Sequence, residues 1–270
     1  MYLFAAGGGY HGGRDFGDWC ADQNVHKLYT IGEMDHILNY KHPNLKLLCD
    51  SLGHAFNKST INPLGHKRET AMPDPYEFLE YYKRCVDRIK DINAGVFELD
   101  IYGHLPVDTV DGVYRELSSI KGKIKVIRCF HPLALDKDYS LRTLKKWIDQ
   151  GQDIVAISKS SSECFPEIFK LTMAEKVKVH GLALTGPSVL SKFPFYSSDS
   201  SNALVTPFVT GTVVLDSGER ISLAKALEKR SLNYLLFKDY ESRLVQSIKM
   251  YKEQEIFFTR LWKTRGITWE

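Results

Sequence analysis

A chain of 270 residues with 43% hydrophobic side chains can bury one sizeable core, as a single large domain or as a domain with an appendage. Its formal net charge of +3 permits a nucleic-acid partner without requiring one, because only a clustered basic face carries that claim. No apolar run approaches the roughly 20 residues of a membrane span, the opening MYLFAAGGG lacks the basic start of a secretion signal, and the five cysteines are scattered with no CxxC pair. The expectation is a soluble, cytoplasmic protein with reduced thiols, no membrane partner, no metal site and no cofactor.

Short apolar runs alternate with helical segments along the first 200 residues. Strands are expected at Tyr2–Ala6, His26–Thr30, Leu45–Cys49, Val96–Ile101, Lys123–Cys129, Asp153–Ile157, Lys176–Leu184 and Phe195–Ser198. Helices are expected at Ile31–Tyr40, Pro75–Ile92, Thr109–Ile120, Leu141–Gln150, Ser162–Ala174 and Pro187–Lys192. In the longest of these, Phe78, Tyr82, Val86 and Ile89 recur at three- and four-residue spacing, with Asp74 placed to cap it and Pro75 at its first position. Eight strands alternating with helices predict an α/β chain folded as a (β/α)8 TIM-like barrel over residues 1–204, with an open doubly wound sheet as the other arrangement of the same pattern. After Asn202 the pattern changes. A hairpin around Asp216-Ser217-Gly218-Glu219 and helical stretches to about Leu261 predict a C-terminal extension, residues 205–270, packed on the barrel.

Barrel enzymes place their chemistry at the C-terminal strand ends, and three such ends here carry acids. Leu45-Lys-Leu-Leu-Cys runs into Asp50-Ser51, Val96-Phe-Glu-Leu-Asp ends on Glu98 and Asp100 two residues apart, and Phe195-Tyr-Ser-Ser is followed by Asp199. Period-two alternation would turn Glu98 and Asp100 to the same side. Any one of these acids could equally cap a helix or join an ion pair, but three at the strand ends of one barrel point to a shared site. His180, inside the seventh strand, either faces the same mouth or is a satisfied core histidine, and His131 before Pro132 reads as a turn residue. Near the N-terminus, Gly7, Gly9 and Gly12 satisfy a formal GxGxxG, yet the extra glycines and His11 spoil the helix start that a dinucleotide site needs. A flexible loop whose backbone amides at Gly9 and His11, with Arg14, meet the DNA phosphate backbone fits better.

In this order the motifs resemble the tRNA-guanine transglycosylase superfamily, over roughly Leu45 to Asn202. Leu47-Leu-Cys-Asp50-Ser51 resembles the family strand ending in Asp-Ser-Gly-Gly, Val96-Phe-Glu-Leu-Asp100 the strand whose Asp recognises the base, and His180-Gly-Leu-Ala-Leu-Thr-Gly-Pro187 the Gly-containing strand with its Thr-Pro turn. Tyr196-Ser-Ser-Asp199-Ser200 falls on the strand whose Asp attacks the sugar. The DNA-acting members, phage-encoded DNA transglycosylases and glycosylases of modified phage bases, look closer than the tRNA enzymes, since no Cys/His cluster follows Asn202. Ser51 is followed by Leu52-Gly53 instead of two glycines, and Ser158-Lys159-Ser160-Ser161 stands where the family has a Gly-Gly pair that lets guanine-like bases approach the backbone.

The resemblance implies a DNA N-glycosylase that excises a modified, phage-derived base in antiviral defence and leaves an abasic site. Asp199 would be the nucleophile, Asp50 the general acid/base, and Asp100 with Glu98 the base-binding acids. Ser51, His180, Ser158, Lys159 and Tyr196 would complete the base-binding set around a flipped-out base. A DNA base transglycosylase exchanging guanine for a 7-deazaguanine is the alternative within the class. A non-catalytic nucleic-acid-binding protein is the alternative outside it.

Overall fold

A computed structural model describes residues 1–53, 74–101, 104–132, 137–204, 212–214, 220–222 and 239–269. Eight strands, here β1 (Tyr2–Ala6), β4 (His26–Thr30), β5 (Leu47–Asp50), β6 (Ala94–Phe97), β7 (Lys125–Phe130), β8 (Ile154–Ser158), β9 (Lys178–Leu182) and β10 (Ser197–Ser200), close a parallel barrel in that order. The strand-helix alternation read from the sequence is therefore a (β/α)8 barrel, not an open sheet. Residues pack as two compact units, Met1–Leu28 with Phe130–Glu270, and Tyr29–Cys129. No helix among the described residues is long and apolar enough to cross a membrane.

In the first unit, β1 lies between β4 and β10, with Phe4 level with Asp199 on one side and with His26 on the other. The Gly-rich stretch after β1 forms a ribbon of two short antiparallel strands, β2 (Tyr10–His11) and β3 (Arg14–Asp15), turned by Gly12 at φ +58° and Gly13 at φ +77°. Two consecutive positive φ values match the right-handed strand twist and are open to glycine at little cost. Asp15 ends the ribbon and caps α1 (Phe16–Asp22) through Gly17 N–H. The stretch expected as a loop thus contains a short two-stranded hairpin.

Helices α5 (Lys137–Asp149), α6 (Phe165–Ala174) and α7 (Pro187–Leu190) follow β7, β8 and β9. A 3-10 turn, Lys159–Cys164, precedes α6 where the sequence pattern begins the helix at Ser162. Beyond β10, β11 (Thr212–Val214) pairs antiparallel with β12 (Arg220–Ser222), as a hairpin requires. The expected turn at 216–219 and the helical stretch over 223–238 lie outside the described residues. The long α8 (Tyr240–Thr264) buries Leu244, Ile248, Tyr251 and Phe258 in the same core as Leu3 and Ala5. Its Tyr251 hydroxyl reaches the Ser200 carbonyl (3.4 Å), and the Leu3 N–H at the start of β1 donates to Glu255 (2.8 Å). A helix running from the end of the eighth strand back to the start of the first stands where the last helix of a (β/α)8 repeat belongs.

The second unit holds α2 (Met34–Leu38), α3 (Pro75–Ile89) and α4 (Val107–Ser118) with the strands between them. The Asp74 carboxylate accepts from Tyr76 and Glu77 N–H at 2.8 and 3.1 Å, and Pro75 opens α3 as its sequence indicated. Leu79, Tyr82, Val86 and Ile89 bury its inner face against Val96, Leu99 and Val110. Strand β6 stops at Phe97, three residues before the sequence reading ends its acidic run, which leaves Glu98 to Asp100 as loop.

Candidate functional site

In the first unit the β9–β10 register sets Ser197 beside His180. Asp199 follows two residues later on the same side of β10, so one imidazole spans both side chains. His180 Nδ1 lies 2.8 Å from Ser197 Oγ and Nε2 lies 2.9 Å from Asp199 Oδ2. His180 is fully buried, while the Asp199 side chain keeps 10% of its surface exposed at the strand end. The Ala183 N–H points at the other oxygen, Oδ1, at 3.4 Å, and Ala183 holds φ at +55° to do so. A left-handed backbone at a residue with a Cβ is strained, and such strain persists only where surrounding structure imposes it. Here the turn is braced from beneath: Ser198 Oγ lies 2.7 Å from both the Gly181 and Leu184 carbonyls. Phe195 also packs so closely on Gly181 that a Cβ there would sit 2.9 Å from its ring.

The second unit builds a comparable carboxylate at the end of β5. Leu52 N–H donates to Asp50 Oδ1 at 2.7 Å, with Leu52 at φ +64°. Ser51 Oγ accepts from Gly53 N–H (3.3 Å) and from Asp100 N–H (3.4 Å), which ties the Asp50 loop to the loop carrying Asp100. Gly53 makes that approach possible, because a Cβ would stand 2.2 Å from the Asp100 carbonyl oxygen. Asp50, Ser51 and Asp100 are therefore brought together, with the serine as the fastener.

Glu98 has a different task. It is buried, accepts the Cys129 N–H at 2.7 Å and pairs with Arg128 Nε at 3.3 Å. Arg128 also pairs with Asp111 and lies 4.4 Å over the Tyr114 ring. β6 ends at Phe97, and although the Glu98 N–H still donates to the Ile127 carbonyl (2.9 Å), the Asp100 N–H turns to Ser51 in the following loop. The sealed Cys129 thiol is pushed well up by burial, then by the charges of Asp100, Glu98 and Asp50.

Other expected contacts fall elsewhere. Tyr196 precedes β10, at its N-terminal end: Tyr2 N–H donates to its carbonyl, its ring stands edge-on to Tyr2 at 5.3 Å, and Lys178 lies 5.1 Å over it. That is the opposite end of the strand from Asp199, about 10 Å away at 3.3 Å per residue, so a base held at Asp199 cannot stack on Tyr196. Ser158 bonds Ser160 at 2.7 Å at the tip of β8, and Lys159 is exposed beside it. Arg14 pairs with Asp22 at 2.6 Å and lies 4.7 Å over Trp19, so its guanidinium faces α1 instead of a phosphate. His11 stands edge-on to Tyr240 at 4.4 Å, and the Gly9 carbonyl accepts from Phe16 N–H at 3.1 Å. Among the described residues no group of three His, Cys, Asp or Glu is placed to hold a metal ion.

Sequence reasoning missed Ala183, Leu52 and Ser197. A residue's φ leaves no mark in composition when the residue is not glycine. The serine could have been found from the Ser197-x-Asp199 spacing facing His180. No protein-family model matches the chain, and no curated protein matches it either.

The linear chain Ser197–His180–Asp199 has a polarity that limits its chemistry. In a serine nucleophile's triad the hydroxyl is outermost and the acid buried. Here Ser197 is the inner member, 2% exposed, and the acid is at the strand end. The member of this set with surface left open is the Asp199 carboxylate.

Proposed function

We propose that the protein is a DNA N-glycosylase in which Asp199 attacks the sugar of an extruded nucleotide carrying a modified base. The observation that carries this reading is the fixation of the Asp199 carboxylate at a barrel strand end by His180 on Oδ2 and by the Ala183 N–H on Oδ1. A carboxylate restrained on both oxygens, partly dry and still open on one side, suits in-line attack on an anomeric carbon. Among the described residues Oδ2 meets the imidazole, while Oδ1 receives the long Ala183 contact and keeps a lone pair for attack.

The steps balance without a cofactor. Asp199 Oδ1 bonds to C1′ as the C1′–N bond breaks, and its electrons leave with the base, which takes up a proton. Water then attacks C1′, loses a proton, and returns Asp199 to its anionic form with an abasic site in the strand. The His180 contact steadies the carboxylate charge that reappears in this second step. Asp50 as proton donor and Asp100 as the base-reading acid are assigned on the sequence pattern, supported by the way Ser51 fastens them together in their own unit. Extruding the base costs a few kcal/mol, least where modification already weakens its pairing.

The test is incubation of the protein with DNAs carrying a panel of modified bases, followed by alkali. Strand scission at the modified position supports the reading. Intact strands that instead take up a labelled free base would replace it with base exchange, and binding without either reaction would reduce the protein to a nucleic-acid-binding module.

A further inference from the structure

We propose that Ser197 is a positioning residue that sets the tautomer of His180: its hydroxyl donates to Nδ1, so that Nε2 carries the proton and donates it to Asp199. The inference rests on the glycosylase reading of Asp199 but concerns a different residue, one that touches neither sugar nor base.

The argument is a count of hydrogens. An ionised carboxylate only accepts, so the 2.9 Å contact at Asp199 Oδ2 requires a proton on Nε2. A neutral ring then presents a lone pair at Nδ1, 2.8 Å from Ser197 Oγ, and that contact requires the hydroxyl proton to point at the ring. The reverse assignment fails at both ends. It would set a lone pair on Nε2 against the carboxylate, and it would leave a buried O–H, on a residue 2% exposed, aimed away from the ring. Ser197 is also rigidly placed, since it is paired in register with His180 on the adjacent strand. His180 has no surface of its own, so it is sealed from bulk water and cannot be the group that activates the attacking water. Its effect on the reaction passes through Asp199.

The second residue of the device is on the chain already. Ser198, next door, spends its hydroxyl on the Gly181 and Leu184 carbonyls that brace the turn under Ala183. Consecutive serines on β10 thus serve the two oxygens of one carboxylate, Ser197 through His180 and Ser198 through the Ala183 turn.

The experiment has two independent readouts. Nitrogen-15 NMR of histidine-labelled protein, with His180 assigned by comparison with His180→Asn, is expected to show a protonated Nε2 and an unprotonated Nδ1. Ser197→Ala is expected to lose that pattern for a mixture of tautomers, and Ser197→Cys, a near-isostere with a weak donor, to fall between the two. On a DNA substrate cleaved by the wild type, Ser197→Ala should lower kcat by about 10- to 100-fold with KM changed less than about twofold, the range for removal of an outer-shell partner, and Ser197→Cys should recover part of it. An unchanged tautomer pattern in a folded Ser197→Ala protein overturns the proposal, and so does a changed pattern with full kcat. If Ser197→Ala does not fold, Ser197→Cys carries both readouts alone. Should the wild type cleave no substrate in the panel, the glycosylase reading fails, while the NMR pattern still decides whether Ser197 sets the tautomer.

Discussion

Four non-glycine residues among those described adopt positive φ: Asn24, Leu52, Lys176 and Ala183. Asn24 and Lys176 close the last turns of α1 and α6, bonding back to the Ala21 and Met173 carbonyls, an ordinary use of the left-handed conformation at a helix exit. Leu52 and Ala183 follow strands instead, and each turns its N–H onto a candidate carboxylate, Asp50 or Asp199. Each carries a backbone cost of about 1–2 kcal/mol, which packing elsewhere must offset. Ala183→Gly should therefore raise stability by up to about 1 kcal/mol while turnover falls, because a freer backbone lets the N–H leave Oδ1. A variant that loses stability and keeps full turnover would show that the strain does not serve Asp199; urea unfolding and base-release rates measure the two. Asp199→Asn tests the next atom along: the amide still fits beside His180, so the fold and DNA binding should persist while base release disappears. Glu98 is the contrasting acid. Glu98→Ala removes one of the acids paired with Arg128, leaving Asp111, and takes away the acceptor of the buried Cys129 N–H; it should cost about 1–3 kcal/mol, read as a lower urea midpoint. A base-reading role would show in Glu98→Gln as altered base preference at unchanged stability, and the ion pair predicts no such change.

Elements were legible where periodicity and punctuation agree. Pro75 behind Asp74 marked the start of α3, and the apolar runs placed all eight barrel strands, β1 and β4 with the observed ends. The site was legible to the extent that an acid follows an apolar run, which found Asp50 and Asp199. It failed where the run did not reveal where pairing stops. The segment from Val96 to Asp100 reads as one strand, yet β6 ends at Phe97: Glu98 still donates its N–H to the Ile127 carbonyl (2.9 Å) while its carboxylate pairs with Arg128, and the Asp100 N–H meets Ser51. Tyr196 shows the complementary point: three residues before Asp199 in sequence, it precedes β10, which starts at Ser197 where the sequence places the start at Phe195, and so it lies at the strand end away from Asp199. The glycines at the N-terminus were read as freedom. Two of them instead supply the positive φ values of a tight hairpin turn, and Lys27 pins the ribbon's base by donating to the Ala5 carbonyl (3.1 Å), the Leu28 carbonyl (2.8 Å) and the Gly7 carbonyl. A fully buried lysine satisfied by three carbonyls has no sequence signature, because its neighbours His26 and Leu28 give no hint of which way its chain runs.

At the scale of the molecule, both boundaries between the compact units fall inside strands, between Leu28 and Tyr29 in β4 and between Cys129 and Phe130 in β7. Neither boundary therefore falls at a linker, so unfolding should be a single cooperative transition. The cysteines supply a probe for each unit. Burial, the largest cause in both cases, pushes the Cys20 thiol in the first unit and the Cys49 thiol in the second from 9.0 up to about 12. At pH 8 the folded protein therefore presents almost no thiolate at either position, whereas the unfolded chain presents thiols with an ordinary value near 8.5. Pulsed alkylation through a urea series, read by peptide mass spectrometry, should label Cys20 and Cys49 with the same midpoint; separated midpoints would mean that the units unfold independently. The same thiols fix the sign of an alkaline effect. Since the folded values are raised, their contribution to stability is complete below the unfolded value and is lost as pH climbs toward 12, where the unfolded chain releases protons that the folded chain retains. The common midpoint should accordingly move to lower urea between pH 7 and pH 10. Replacing Cys20 and Cys49 by alanine, which removes both titrating groups, should flatten the part of that shift due to these thiols, and an undiminished shift in the double variant would assign the alkaline loss to other groups.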